Sequence, residues 1–257
     1  MPARTLLIAN PASRNRATAR RLAALEARLR SALGPLEVAC TRAPRDAERL
    51  AREGVRAGVE RVIVAGGDGT LSEVVTGLLG AGLGDYAAIG LLPLGSASDF
   101  GRGLGAARAL DRAIEALAAG RTRRVDAGRV IYRRGDGASA TAYFANVASL
   151  GLSAEVADRV NRGRKSDRVR RGRSCPGGRL AYALAALRGV LGHRGARVAI
   201  SADGQRVFEG EVCLAAVANG PCFGGGMRIA PGARVDDGCF DWVIVPALPR
   251  AALLAKL

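Results

Sequence analysis

Histidine and lysine are almost missing from this 257-residue chain, and each shortage removes a class of chemistry. The one histidine, His193, stands in LGHRGAR at an apparent turn, which leaves a Ser-His-Asp or Cys-His hydrolase without its members. A solvated loop residue is the simpler reading. Five cysteines (Cys40, Cys175, Cys213, Cys222, Cys239) are scattered, odd in number and without a CxxC pair. Neither a disulfide framework nor a zinc site follows from that spacing, and they read as small apolar fillers. Aromatic residues make up 4% of the chain, too few for the stacking platforms of single-strand nucleic-acid binders. No apolar run approaches the ~18 residues of a membrane-spanning helix, and the opening MPARTLLIANPAS has too short an apolar core for a secretory signal. A cytoplasmic chain is expected, with peripheral contact at the inner membrane face if its substrate resides there.

Arginine is what the chain has in excess. Its formal net charge is +16, and of 39 basic residues only Lys165 and Lys256 are lysines. Such a skew, beside heavy alanine and glycine usage, reflects a GC-rich genome as readily as selection for phosphate contacts. No zinc-finger spacing or RNP-like run accompanies it, so a nucleic-acid partner is not expected. Charge is densest over residues 159–173, RVNRGRKSDRVRRGR, which carries eight basic residues against Asp167. That stretch reads as a basic surface loop. At 49% hydrophobic, the remainder can bury a sizeable core, and no stable protein partner is evident.

Hydrophobic periodicity divides the chain in two. Strands are predicted at residues 5–9, 36–41, 61–65 and 88–92, alternating with helices at 17–33, 44–54, 71–79 and 107–119. Near-continuous apolar strands separated by helices indicate a parallel sheet covered on both faces. From about residue 123 the rhythm changes: strands are predicted at 125–132, 140–146, 197–201, 206–219 and 240–245, with one helix at 180–191. The expected fold is an N-terminal parallel α/β nucleotide-binding domain over residues 1–125, followed by a mainly antiparallel β-sandwich domain over 126–257.

Residues 62–75, VIVAGGDGTLSEVV, follow a buried strand and open a helix. Such a turn presents backbone N–H groups and the positive end of a helix dipole, and glycines let a phosphate approach the main chain closely. A carboxylate there would repel phosphate unless it holds Mg²⁺ or faces a hydroxyl about to be phosphorylated. Asp68 is therefore a candidate for a phosphoryl-transfer site, with helix capping as the plainer alternative. The GxxxxGK[ST] pattern and its lysine are absent, so this is not a P-loop. A second turn, residues 92–100 LPLGSASDF, also stands at a strand's carboxyl end, where ligands of open α/β sheets collect.

GGDGTLSEVV followed by LPLGSASDFGRGLG resembles the diacylglycerol kinase-like family of bacterial lipid kinases, which also includes sphingosine and ceramide kinases. Asn10-Pro-Ala-Ser13, Thr41, Val125-Asp126, residues 144–151 (FANVASLG) and residues 218–238 (ANGPCFGGGMRIAPGARVDDG) resemble further family motifs, in order along nearly the whole chain. The resemblance implies an ATP-dependent kinase acting on a lipid hydroxyl at a membrane surface, diacylglycerol or a related lipid. By that analogy Asn10, Thr41, Gly66, Gly67, Asp68, Gly69, Thr70, Leu71, Ser72, Glu73, Gly95 and Ser96 surround the ATP. Asp68, Asp99 and Asp126 organise Mg²⁺ around its phosphates, with Asp68 and Asp99 as the catalytic carboxylates. A separate structural cation falls to Asp237 with the backbone carbonyls of Arg234 and Cys239. For Asn146 and Asn219, a satisfied buried amide and a site role both stay open.

Three departures stand beside the matches. Arg14 replaces a glycine usual after NPxS, and Gly95-Ser96-Ala97-Ser98-Asp99 replaces GTxND, so Ser98 lacks the usual amide. Family members usually continue to a DGE motif whose aspartate takes the proton from the lipid hydroxyl; Asp203-Gly204-Gln205 precedes the ANG motif and stands in the wrong place. On this reading the C-terminal part of the β-rich domain is missing. Two alternatives to a lipid kinase remain: a non-catalytic nucleotide- or lipid-binding relative, and a nicotinamide-nucleotide kinase, which shares GGDGT but has neither GSASDF nor this motif order.

Overall fold

A computed structural model describes residues 3–13, 17–95, 98–106, 109–156 and 195–247. The predicted helix at 180–191, the basic stretch at 159–173, His193, Arg14 and Ser96 lie outside the described residues.

Four strands, β1 (Thr5–Ala9), β2 (Leu36–Cys40), β3 (Arg61–Gly66) and β4 (Ala88–Pro93), pair in parallel in the order β2-β1-β3-β4. The apolar runs of β1 and β3 follow from coverage on both faces. Leu6 and Ile8 of β1 join Val62 and Val64 of β3 in one cluster, packed with α2 (Asp46–Arg56) and α3 (Asp68–Leu79). The alternating residues Leu7, Ala9, Ile63 and Ala65 face the other cluster, with α1 (Ala17–Leu33) and α5 (Leu110–Ala118). A period of two in the strands thus distributes one apolar run over two cores.

Helix α2 buries Ala47, Ala51 and Val55, a stripe of small residues that allows α3 to come close. At Gly77 of α3 a Cβ would overlap the carbonyl oxygen of Glu48. Backbone cannot yield there as a flexible side chain can. Gly77→Ala is expected to destabilise the protein by roughly 1–3 kcal/mol through overpacking, despite alanine's better helix propensity. Chemical denaturation of both forms checks this; a stabilised variant would contradict the packing.

The second half is antiparallel. Strand β9 (Gln205–Ala218) is central, flanked by β12 (Asp241–Pro246), β7 (Val147–Gly151) and β8 (Ala196–Ala202), and is most buried over Val212–Ala218. Two hairpins complete it: β5 (Gly128–Arg133) with β6 (Ser139–Phe144), and β10 (Cys222–Phe223) with β11 (Met227–Arg228). The β5–β6 hairpin leans on α3, where the Thr76 hydroxyl lies 3.2 Å from both the carbonyl oxygen and the amide nitrogen of Tyr143. One helix therefore carries the glycine-rich turn at its start and the antiparallel half near its end.

Several boundaries differ from expectation for local reasons. Helix α3 begins at Asp68, not residue 71, because extended Gly67 (φ −104°, ψ −173°) acts as N-cap and its carbonyl accepts from Leu71 N at 3.1 Å. A short helix α4 (Asp99–Gly103) had no periodic signature, being five residues long. Strand β5 starts at Gly128 and not at 125, since Asp126 is bonded into a loop instead.

Candidate active site

The carboxyl ends of β1, β2, β3 and β4 all point toward the same edge, and the predicted site residues gather there. Asn10, just after β1, donates its amide N–H to Ala65 O (3.0 Å) and its side-chain Nδ2 to the buried Thr70 hydroxyl (3.1 Å). Thr41, just after β2, is tied to Ala9 O through its backbone N–H (2.9 Å). Ser13 reaches across to Leu94 O with its hydroxyl (3.0 Å). Glycines permit the contact between turns: a Cβ on Gly95 would stand 2.6 Å from Gly67 Cα, and one on Gly66 would stand 2.5 Å from Thr70 Oγ1. At Gly69, by contrast, a Cβ would meet nothing within 4 Å, so this residue faces open space. The turn is closed beneath by backbone and open above, at the N-terminus of a twelve-residue helix.

Leu71, Ser72 and Glu73 follow in the first turns of α3. Leu71 is buried in the core beside Val74 and Val75 and also lines the cavity at the glycine-rich turn. Ser72 lies exposed on α3. Glu73 accepts from Ala47 N (3.2 Å) in the first turn of α2, so its carboxylate satisfies an orphan helix donor.

Asp68 and Asp99 occupy the first turns of α3 and α4. Asp68 Oδ1 accepts from Phe100 N at 3.3 Å, which links the two helix starts. Asp99 is 3% exposed; its Oδ2 accepts from Gly225 N at 2.7 Å, and its Oδ1 has no hydrogen-bond partner. Burial pushes the Asp99 carboxyl above the ordinary carboxylate range; the Gly225 N–H opposes this, and the Asp68 charge adds to it. A cavity of about 60 Å³ opens between the two turns, lined among others by Gly66, Gly67, Asp68, Ser98 and Arg102. An orphaned carboxylate oxygen next to a second carboxylate suits a hard, oxygen-seeking cation such as Mg²⁺, so the residues present fit that ion.

A carboxyl whose folded pKa is raised costs stability above that pKa, and the cost vanishes as pH falls below the unfolded value. Asp99→Asn is therefore expected to raise the melting temperature at neutral pH. The gain should shrink as pH falls through the folded pKa toward the ordinary carboxylate range. Thermal melts of both forms across that range check it; a variant less stable at neutral pH would contradict the assignment.

Asp126 and Asp237 belong to a neighbouring network. Asp126 N donates to Val235 O (2.6 Å), its Oδ2 accepts from Gly238 N (2.8 Å), and its carbonyl accepts from Asn219 Nδ2 (2.8 Å). The contacts of Asp126 thus run to the 235–238 loop, while Asp68 and Asp99 share the two helix starts. Asn219, fully buried, also donates to Ala145 O (2.7 Å), and Asn146 Nδ2 donates to Cys222 O (2.9 Å); the Oδ1 atoms of both asparagines have no partner. Asp237 Oδ1 accepts from Cys239 N (3.1 Å), bracing its own turn, and Arg234 pairs with Asp236 at 3.5 Å. No cluster of three or more His, Cys, Asp or Glu side chains occurs among the described residues, so a cation at Asp237 would depend on carbonyls and water.

Sequence reasoning passed over Arg102. It stands three residues after Asp99 on α4, hence on the same helix face, and its Nη1 donates to Gly225 O at 3.3 Å. The i, i+3 spacing was visible in SDFGR.

Known proteins resemble this chain. Residues 4–130 match the diacylglycerol kinase catalytic domain, and residues 146–257 match the YegS C-terminal NAD kinase beta sandwich-like domain. The chain is 36% identical over 219 residues to a protein of Chromohalobacter salexigens named "Probable lipid kinase YegS-like", covering 85% of this chain and 64% of that one. It is 31% identical over 243 residues to a Bacillus subtilis diacylglycerol kinase, covering 94% of this chain and 73% of the relative. A crystal structure of a diacylglycerol kinase from Bacillus anthracis superposes with a TM-score of 0.69 at 26% identity, covering 99% of this chain and 78% of that one. Sequence, fold and the order of its turns agree: the chain belongs to the diacylglycerol kinase-like family of lipid kinases.

Proposed function

We propose that this chain is the ATP-dependent phosphotransferase its family suggests, moving the γ-phosphate of ATP to a lipid hydroxyl. The observation that carries the reading is the pair Asp68 and Asp99 at two adjoining helix starts, one of them buried with an unsatisfied oxygen. On this reading the open face at Gly69 receives the phosphates, which accept from the first-turn amides of α3. Asn10 holds the Thr70 hydroxyl in place beneath them. Mg²⁺, when bound, neutralises charge on the phosphate oxygens, and Asp68 and Asp99 are the residues that would hold it. The half from residue 126 onward is assigned to the lipid, the half up to 125 to the nucleotide. Asp237, with the carbonyls of Arg234 and Cys239, is assigned to a separate structural cation. The excess of arginine would draw such a protein to an anionic membrane surface, where each residue near the lipid contributes about 1 kcal/mol.

A panel assay tests this reading. With ATP and Mg²⁺, phosphate is expected on a lipid such as diacylglycerol, phosphatidylglycerol or a sphingoid base. Transfer to NAD instead, or ATP binding without any transfer, would replace it with one of the two alternatives.

A further inference from the structure

Resting on that kinase reading, one contact between the two halves of the chain goes beyond it. Gly225, in the loop joining β10 and β11, is held through both its N–H and its C=O by one short helix. Its N–H donates to Asp99 Oδ2 (2.7 Å) and its carbonyl accepts from Arg102 Nη1 (3.3 Å). The loop is shaped for the grip. Gly224, Gly225 and Gly226 all have positive φ (65°, 93° and 104°), and a Cβ on Gly226 would overlap the Arg102 guanidinium. The helix is pressed against the same hairpin next door, where a Cβ on Gly103 would stand 2.9 Å from Pro221 Cδ.

We propose that Arg102 is a positioning residue: by gripping the Gly225 carbonyl it keeps the Gly225 N–H on Asp99, and so fixes the carboxylate that the donor site uses. Asp99 is deeply buried; this N–H is the hydrogen-bond partner of one carboxylate oxygen, and the other is buried without one. With Gly225 released, that carboxylate loses its 2.7 Å hydrogen bond from the Gly225 N–H. Arg102 needs no contact with substrate for this effect, and a guanidinium suits the task because it stays charged and presents several donors to one carbonyl.

The test uses the full chain labelled with ¹⁵N-glycine, the Gly225 signal being identified by its loss in Gly225→Ala. In the wild type the Gly225 amide proton is expected downfield and slow to exchange. Arg102→Gln should move it toward the unstructured position and speed exchange at least ~10-fold, because the local opening no longer breaks the Arg102 contact. Gly226→Ala should do the same by displacing Arg102 without replacing it, which keeps the test alive if one variant fails to fold. Arg102→Lys should restore part of the signal. In turnover, both disruptive variants are expected to lower kcat by roughly 10–10²-fold, as for an ~1 Å misplacement, with KM for ATP within about 3-fold.

An unchanged Gly225 amide in both variants overturns the proposal. So does a displaced amide with wild-type kcat. If the wild type transfers no phosphate at all, it is the kinase reading that fails, and the amide signals still decide whether Arg102 holds Gly225 on Asp99.

Discussion

Asp68→Asn is expected to slow phosphoryl transfer at least ~10²-fold while leaving the fold intact, because it removes a negative oxygen where cation and phosphates must be organised. The local structure makes the separation of effects sharp. Asp68 is partly exposed, and its one side-chain hydrogen bond among the described residues, the 3.3 Å bond from Phe100 N, can be accepted equally by an asparagine Oδ1. Little stability is therefore at stake, and the melting temperature should shift by only about 2–4 °C per kcal/mol lost. Turnover with ATP and Mg²⁺, measured beside a thermal melt, checks both halves. A variant with wild-type turnover would return Asp68 to a capping role.

The second large effect has the opposite profile. Asn219 is fully buried, and its Nδ2 bridges the carbonyls of Asp126 and Ala145, which belong to the segments before β5 and before β7. Its backbone N–H donates to Asn146 O at 2.7 Å. Replacing the side chain by leucine leaves two buried acceptors without a donor. At ~1–3 kcal/mol for each unsatisfied group, Asn219→Leu should cost roughly 2–5 kcal/mol. Because Asp126 also receives Gly238 N, the 235–238 loop should loosen with it. Chemical denaturation measures the loss, and a cost below about 1 kcal/mol would show that water or a rearranged neighbour replaces the bridge.

These two residues illustrate what the chain disclosed beforehand. The parallel half was legible because β1 and β3 are buried on both faces and each helix on one, so apolar spacing separates them. The turn at Gly66–Thr70 was legible as a strand-to-helix turn because its glycines end the apolar run of β3 just before α3. The hydrogen-bond partners of Glu73 and Asp126 were not. Glu73 serves the start of α2 and Asp126 the loop at 235–238, partners 26 and 112 residues distant along the chain. Periodicity carries no information about such pairings. Helix α4 was missed because five residues cannot display a helical period, and Arg102 was missed with it. The asparagines were undecided in the sequence, and geometry divides them by atom: each Nδ2 is satisfied by carbonyls, each Oδ1 is not.

The site also explains why a stabilising change at Asp99 should coincide with lost turnover. Burial next to Asp68 raises the energy of the charged form, and one oxygen of that carboxylate is buried without a hydrogen-bond partner, where the proposed Mg²⁺ would satisfy it. Function and stability pull against each other at this one carboxylate.

The most direct test is transfer of labelled γ-phosphate from ATP to lipid by this 257-residue chain in the presence of Mg²⁺, with Asp68→Asn as the control. Label in the lipid fraction that the variant reduces at least ~10²-fold is the predicted result. Label appearing in a nicotinamide nucleotide, or in lipid at equal rates with both proteins, would contradict the account.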